Sequence, residues 1–194
     1  MLNQAIKLVI DVVFGLVTYS LLLRFLMQLL RAPFRNPLGQ AVMALTDWIV
    51  KPLRRVIPGL RGYDWATLFA AWLFQVLWLI AIFLLFSAGF DLVSPVAFAY
   101  VALLALIKLL EAALWILIVA VFAQALLSWV APDGPLSGLL NALTFPFLRP
   151  LRRFIPPIGG TLDITPLIVI VLGQIALLAI PRLESALFTL LFQV

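Results

Sequence analysis

The sequence predicts an all-α membrane protein built as two parallel repeats. Each repeat runs transmembrane helix, amphipathic interfacial helix, basic Pro-Leu-Arg-Arg turn, transmembrane helix, for about four spans in total. Three observations lead there. The 194 residues are 65% hydrophobic and 11% charged, with a mean hydropathy of +1.22; soluble domains are roughly 45 to 50% apolar and 25% charged. A shift of 98 positions lays residues 37–58 on residues 135–156 with 11 of 22 positions identical, the mark of one unit written twice. Apolar stretches at residues 6–30, 65–90, 96–130 and 165–192 each reach the ~20 residues that cross ~30 Å of hydrocarbon.

The elements follow in order. Residues 6–30 lack the cationic start and small-residue cleavage site of a signal peptide, so the first helix is expected to stay in the mature protein. Asn36-Pro37 reads as an N-cap with Pro at N1. After it, Leu38, Ala41, Val42, Leu45, Trp48 and Ile49 recur at helical spacing opposite Gln40, Asp47 and Lys51, an amphipathic helix at the membrane surface. Its counterpart at residues 135–148 keeps Leu136, Leu139, Leu140 and Leu143 on one face and is expected to break at Pro146. Both copies end in Pro-Leu-Arg-Arg-x-Ile-Pro, where the prolines are expected to stop the helix and hold two guanidiniums at headgroup level. The third apolar run is over-long. Matching Lys108 and Glu111 to Lys7 and Asp11 starts its crossing helix near Ile107 and leaves residues 95–106 at the interface. The units divide as residues 1–94 and 95–194, in one membrane domain.

Two helices per unit return the chain to its starting side, so both basic linkers share a side. They hold Arg31, Arg35, Lys51, Arg54, Arg55 and Arg61 in one and Arg149, Arg152 and Arg153 in the other, nine of thirteen cations. The positive-inside rule makes that side cytoplasmic and turns both termini, with the Asp91 loop, to the outer face. Arg in both copies suits bidentate binding of phosphate. Lys51, Arg54, Arg55, Arg149, Arg152 and Arg153 are therefore candidates for anionic lipid headgroups or an acidic partner. The competing reading is a topology signal that pairs with Asp47 or Asp64. Two Arg pairs flush with a membrane make a poor nucleic-acid footprint.

The paired Asn-Pro, Lys-Pro-Leu-Arg-Arg-Val-Ile-Pro and Arg-Pro-Leu-Arg-Arg-Phe-Ile-Pro-Pro-Ile-Gly-Gly-Thr-Leu-Asp-Ile-Thr-Pro segments resemble the YggT family of small bacterial inner-membrane proteins, related to the YlmG proteins. The resemblance covers essentially the whole chain. It carries the signature onto Asn36, Pro37, Pro52, Leu53, Arg54, Arg55, Ile57 and Pro58, and onto Pro150, Leu151, Arg152, Arg153, Ile155, Pro156, Gly160, Asp163 and Pro166. The first copy departs after Pro58, where Arg61 to Ala66 lacks the Thr-Pro. The resemblance implies a multi-spanning protein linked to osmotic or ionic stress tolerance and, in the YlmG branch, to division, nucleoid organisation or membrane-complex assembly, with no catalytic residues; the expected partners are membrane lipids with anionic headgroups and a membrane protein or a second copy of the chain.

The sequence has no His and no Cys. That removes disulfides, thiolate nucleophiles, His-ligated metals and His general bases, so no enzyme, metal or cofactor is expected. Polar residues within the apolar runs are functional candidates by default. Gln75 and Gln174 each follow a matched aspartate by 11 residues, about 16 Å along a helix. With Asp11 and Glu111 they could line a path for a small ion or solute; the plainer expectation is interhelical hydrogen bonding. Lys7 with Asp11 and Lys108 with Glu111 are spaced to pair on their own helices, and Arg24 is expected to snorkel. Asp64 and Asp163 faintly resemble the dyad of intramembrane aspartyl proteases, but both sit where a helix begins and read as caps. The expected function is thus non-enzymatic: a basic cytoplasmic face for anionic lipid or a partner, with a channel or transporter between the repeats as the alternative.

Overall fold

The computed structural model describes residues 1–59, 62–86, 94–155 and 163–192. Arg61, Asp91, Pro156 and Gly160 lie outside the described residues. Those described form six helices: α1 (Leu2–Leu29), α2 (Pro37–Val56), α3 (Trp65–Phe86), α4 (Pro95–Val130), α5 (Ser137–Phe154) and α6 (Thr165–Phe192). Four of them, α1, α3, α4 and α6, are long and apolar enough to cross a membrane. Large apolar side chains remain exposed along these helices, among them Val9, Val12 and Leu16 of α1, Leu106 and Leu110 of α4, and Leu172 and Ile175 of α6. Hydrocarbon is the solvent that such surfaces require.

The packing has α4 at its centre. α1 lies along α3, and α4 along α6; α2 packs on α1 and α3, and α5 on α4 and α6. One apolar cluster joins Leu21 and Leu22, Val50, Ala70 and Ala71 to Leu109 and Ala112 of α4. A second joins Met27 of α1 and Leu139, Leu140 and Leu143 of α5 to Ala120. A third sets Val76 and Leu79 of α3 against Tyr100, Val101 and Leu104, and a fourth joins Val121 to Leu148 and Val169. α4 enters all four, and alanines at many of its contacts allow close helix approach.

Two expectations are corrected. Residues 95–130 form one unbroken helix of 36 residues, about 54 Å long, with no separate interfacial piece before Ile107. Its first turns are packed as part of the same helix, with Tyr100, Val101 and Leu104 buried against α3. Nor do the prolines stop the amphipathic helices. Pro52 lies inside α2, and Pro146 and Pro150 lie inside α5, so both Arg pairs occupy a last helical turn rather than a turn beyond it. All three rings face outward, where the carbonyl that each leaves without a helical donor is reachable by water or headgroups.

The helix ends are closed locally. Asn36 accepts from the Gly39 amide at 2.8 Å and donates to the Pro33 carbonyl at 2.6 Å. Gly39 has no room for a side chain, since a Cβ would lie 2.6 Å from the Phe34 carbonyl oxygen. α1 ends in a Schellman motif, with the Ala32 amide on the Met27 carbonyl at 2.7 Å and the Arg31 amide on Gln28 at 3.3 Å. Arg31 takes the left-handed position there, at φ 53°.

Where α4 and α6 cross, a Cβ on Gly173 would stand 2.8 Å from Cγ1 of Ile118. Gly173→Val is expected to lower stability by ~1–3 kcal/mol through overpacking, read as a fall in thermal unfolding temperature in detergent. Ile118→Ala in the same chain should restore part of the loss.

Candidate functional site

Two polar regions stand out: the end of the bundle where α2 and α5 lie, and a chamber inside it.

At the first, each Arg pair splits its work. Arg54 donates to Asp64 at 2.5 Å, and Arg152 donates to Asp163 at 2.9 Å. Each carboxylate also holds the start of the next span. Asp64 accepts from the Thr67 amide at 3.3 Å and from the Thr67 hydroxyl; Asp163 accepts from the Thr165 amide at 2.9 Å and hydroxyl at 2.6 Å. An amphipathic helix is thereby tied to the span that follows it. The second Arg of each pair, Arg55 and Arg153, is exposed and makes no ion pair among the described residues. Arg149 lies over the Phe145 ring at 5.2 Å, a cation–π contact that leaves its charge outward.

Burial alone would raise the Asp64 carboxyl, but the hydrogen bonds from Arg54 and Thr67 outweigh it and leave it below the ordinary 3.8. Asp163 is lowered likewise, burial being outweighed by Thr165 and Arg152. Two ionised carboxylates, each held by its own Arg and Thr, do not share the proton that an aspartyl protease dyad needs.

Arg24 does not snorkel, contrary to expectation. It is 5% exposed and donates to the Thr46 hydroxyl at 2.7 Å and to Asp47 at 2.8 Å, clamping α1 to α2. Asp47 also binds Lys51 at 2.7 Å; that bond first, then Arg24 against the cost of burial, lowers its carboxyl. Between α4 and α5, Gln124 accepts from the Thr144 hydroxyl, and the next residue is Phe145. A charged clamp in one half is matched by a neutral one in the other.

The chamber lies between α1, α3 and α4. Its volume is about 220 Å³, and Asp11, Gly15, Thr18, Tyr19, Gln75, Trp78, Lys108 and Glu111 line it. Asp11 accepts from Lys7 at 2.8 Å and from the Trp78 indole at 2.9 Å. Lys108 is shared between Glu111 at 3.0 Å and Glu184 of α6 at 2.7 Å. Asp11, Gln75 and Glu111 thus come together; Gln174, on an exposed face of α6, does not join them. Sequence reasoning missed Thr18, Trp78 and Glu184. Thr18 falls seven residues after Asp11 and Trp78 three after Gln75, one helical face in each case, which was the available signal. Nothing in the sequence pointed to Glu184.

These features define a multi-pass helical membrane protein with a basic end and a charged cleft between α1, α3 and α4. No solved structure matches the chain. The family model described as CCB3/YggT matches residues 3–86 and 103–183, and the chain belongs to that family. It is 34% identical over 175 residues to a protein of Vibrio alginolyticus from the proC 3′ region, covering 89% of this chain and 91% of that one. It is 35% identical over 170 residues to a protein of Pseudomonas aeruginosa, covering 86% and 83%. It is 34% identical over 172 residues to the protein YggT of Escherichia coli K12, covering 87% and 85%.

Replacing Asp64 with Ala removes a cap and leaves Arg54 unpaired, for an expected loss of ~2 kcal/mol; the more exposed Asp163→Ala should lose ~1 kcal/mol. Both carboxyls are lowered on folding, so their stabilisation is full above about pH 4 and is lost as pH falls through their folded values. Thermal unfolding between pH 7 and pH 3 should show this acid limb, and Asp64→Asn should flatten it.

Proposed function

We propose that this protein is a non-enzymatic inner-membrane component whose basic end holds anionic phospholipid headgroups at the cytoplasmic surface, in support of membrane-complex organisation or tolerance of osmotic stress. The observation that carries the reading is the distribution of charge. Nine of the cations in the described residues lie at the end formed by α2, α5 and the adjoining span termini, against four carboxylates there. Arg54 and Arg152 are spent on structure. Arg55, Arg149 and Arg153 are left to face outward, and planar guanidiniums suit phosphate. Trp48, Tyr63, Trp65 and Trp129 are exposed at the same end, as aromatic side chains are at headgroup level. The chain's two halves, residues 1–94 and 95–194, act as parallel repeats in this reading. The family model matching one stretch in each half supports that.

A second reading, passage of a small ion or solute, is favoured by the chamber that Asp11, Gln75 and Glu111 line.

Native mass spectrometry in mixed phosphatidylglycerol and phosphatidylcholine tests the first reading. The triple variant Arg55→Gln, Arg149→Gln, Arg153→Gln should retain several-fold less anionic lipid at unchanged stability, whereas Arg54→Gln with Arg152→Gln should chiefly lower stability. Equal lipid retention by the triple variant and the parent chain would sink it. Because the chain has no Cys, orientation is directly readable: Asn3→Cys and Ser94→Cys should react with an impermeant maleimide from the periplasm, and Gly59→Cys and Asp133→Cys should not.

A further inference from the structure

We infer that the chamber between α1, α3 and α4 is a binding site for a small monovalent cation, an alkali-metal ion or ammonium, held by oxygen ligands. The first ground is an orphaned hydroxyl. Thr18 is 2% exposed and lines the chamber, yet its Oγ1 has no hydrogen-bond partner. Buried helical threonines in this protein have another option: Thr46 and Thr144 each turn the hydroxyl back to the carbonyl four residues earlier, at 2.6 Å and 2.9 Å. Thr18 leaves that bond unmade, although the residue lies on the chamber wall. The Gln75 amide, on the same lining, makes no hydrogen bond among the described residues.

The sign of the ligand follows from charge. Asp11 is matched by Lys7 in one ion pair, whereas Glu111 and Glu184 share the single amine of Lys108 in another group. One negative charge is left over in apolar surroundings, where an uncompensated charge is disfavoured. Asp11 already has Lys7 and the Trp78 indole, and Lys108 is divided between Glu111 and Glu184. Glu111 is therefore the least compensated carboxylate on the lining. Among the lining residues, its carboxylate, the Gln75 carbonyl and the Thr18 hydroxyl supply hard oxygens of the kind that a group I ion or the donors of ammonium take. Space is present where it is needed, since a Cβ built on Gly15 meets nothing within 4 Å.

The inference shares its chamber with the second reading above but concerns occupancy, not passage, so absence of flux in liposomes would end that reading and leave this one standing. The experiment is a thermal-shift and calorimetric titration of the full chain in lipid nanodiscs with sodium, potassium or ammonium chloride, ionic strength held constant with choline chloride. At least one small cation should give a saturable upward shift that choline does not. Thr18→Val and Glu111→Gln should each weaken it at least tenfold, and Gly15→Leu, which fills the chamber, should abolish it. A shift that follows the anion, no small-cation effect on the folded parent chain, or undiminished affinity in Thr18→Val would overturn the assignment. Thr18→Val removes a hydroxyl that bonds nothing, so it is expected to fold even if Gly15→Leu does not.

Discussion

A polar group carried into hydrocarbon finds no water there, and among the described residues most buried polar side chains answer that constraint with a partner. Helical backbone satisfies itself; side chains cannot, and they are paired across helices. Arg24 reaches Thr46 and Asp47, Trp72 donates to the Ala102 carbonyl at 3.0 Å, and Lys108 bridges two carboxylates. Because lipid is as apolar as leucine, burying leucine adds little drive to bring the spans together. These directional contacts, with close packing at small residues such as Ala70, Ala71, Ala105 and Gly173, are what fix one helix against another.

The Arg–Asp ties extend the same logic to the ends of the spans. An amphipathic helix can lie on a bilayer in any azimuth. Arg54 on Asp64 and Arg152 on Asp163 remove that freedom, because each aspartate is already committed to the first turn of the next span. A single carboxylate thereby caps a helix, pairs a guanidinium and ties the preceding amphipathic helix to the span. The neighbouring arginine is left outward, so adjacent residues of one dipeptide serve structure and surface separately. The helical continuation through Pro52 and Pro150 is what makes this division possible, since successive residues on a helix point about 100° apart.

The interior differs from the boundary in being left incomplete. Most buried polar groups among the described residues have partners, and the exceptions include the Thr18 hydroxyl on the chamber wall. An unfilled hydrogen bond costs ~1–3 kcal/mol where no ligand or water meets it. That hydroxyl shares the chamber lining with Gln75 and Glu111, where α1 and α3 meet α4.

Much of the architecture was legible in the residues themselves. Hydropathy marked four spans because the bilayer demands a minimum apolar length, and the duplicated Pro-Leu-Arg-Arg segments marked the basic end because charge is scarce in such a chain. Asn36, Asp64 and Asp163 were readable as helix starts because capping is a local interaction. What the tertiary structure alone decided is non-local. Arg24 looked free to snorkel until α2 folded over it; the prolines looked like stops until their exposed positions showed that the helix loses little by keeping them. Gln75 and Gln174 looked alike by spacing, but α1 and α4 enclose one and leave the other on an open face. Sequence spacing determines which side chains share a helix face. Only the packing of one helix on another determines whether that face meets lipid, a partner or a cavity.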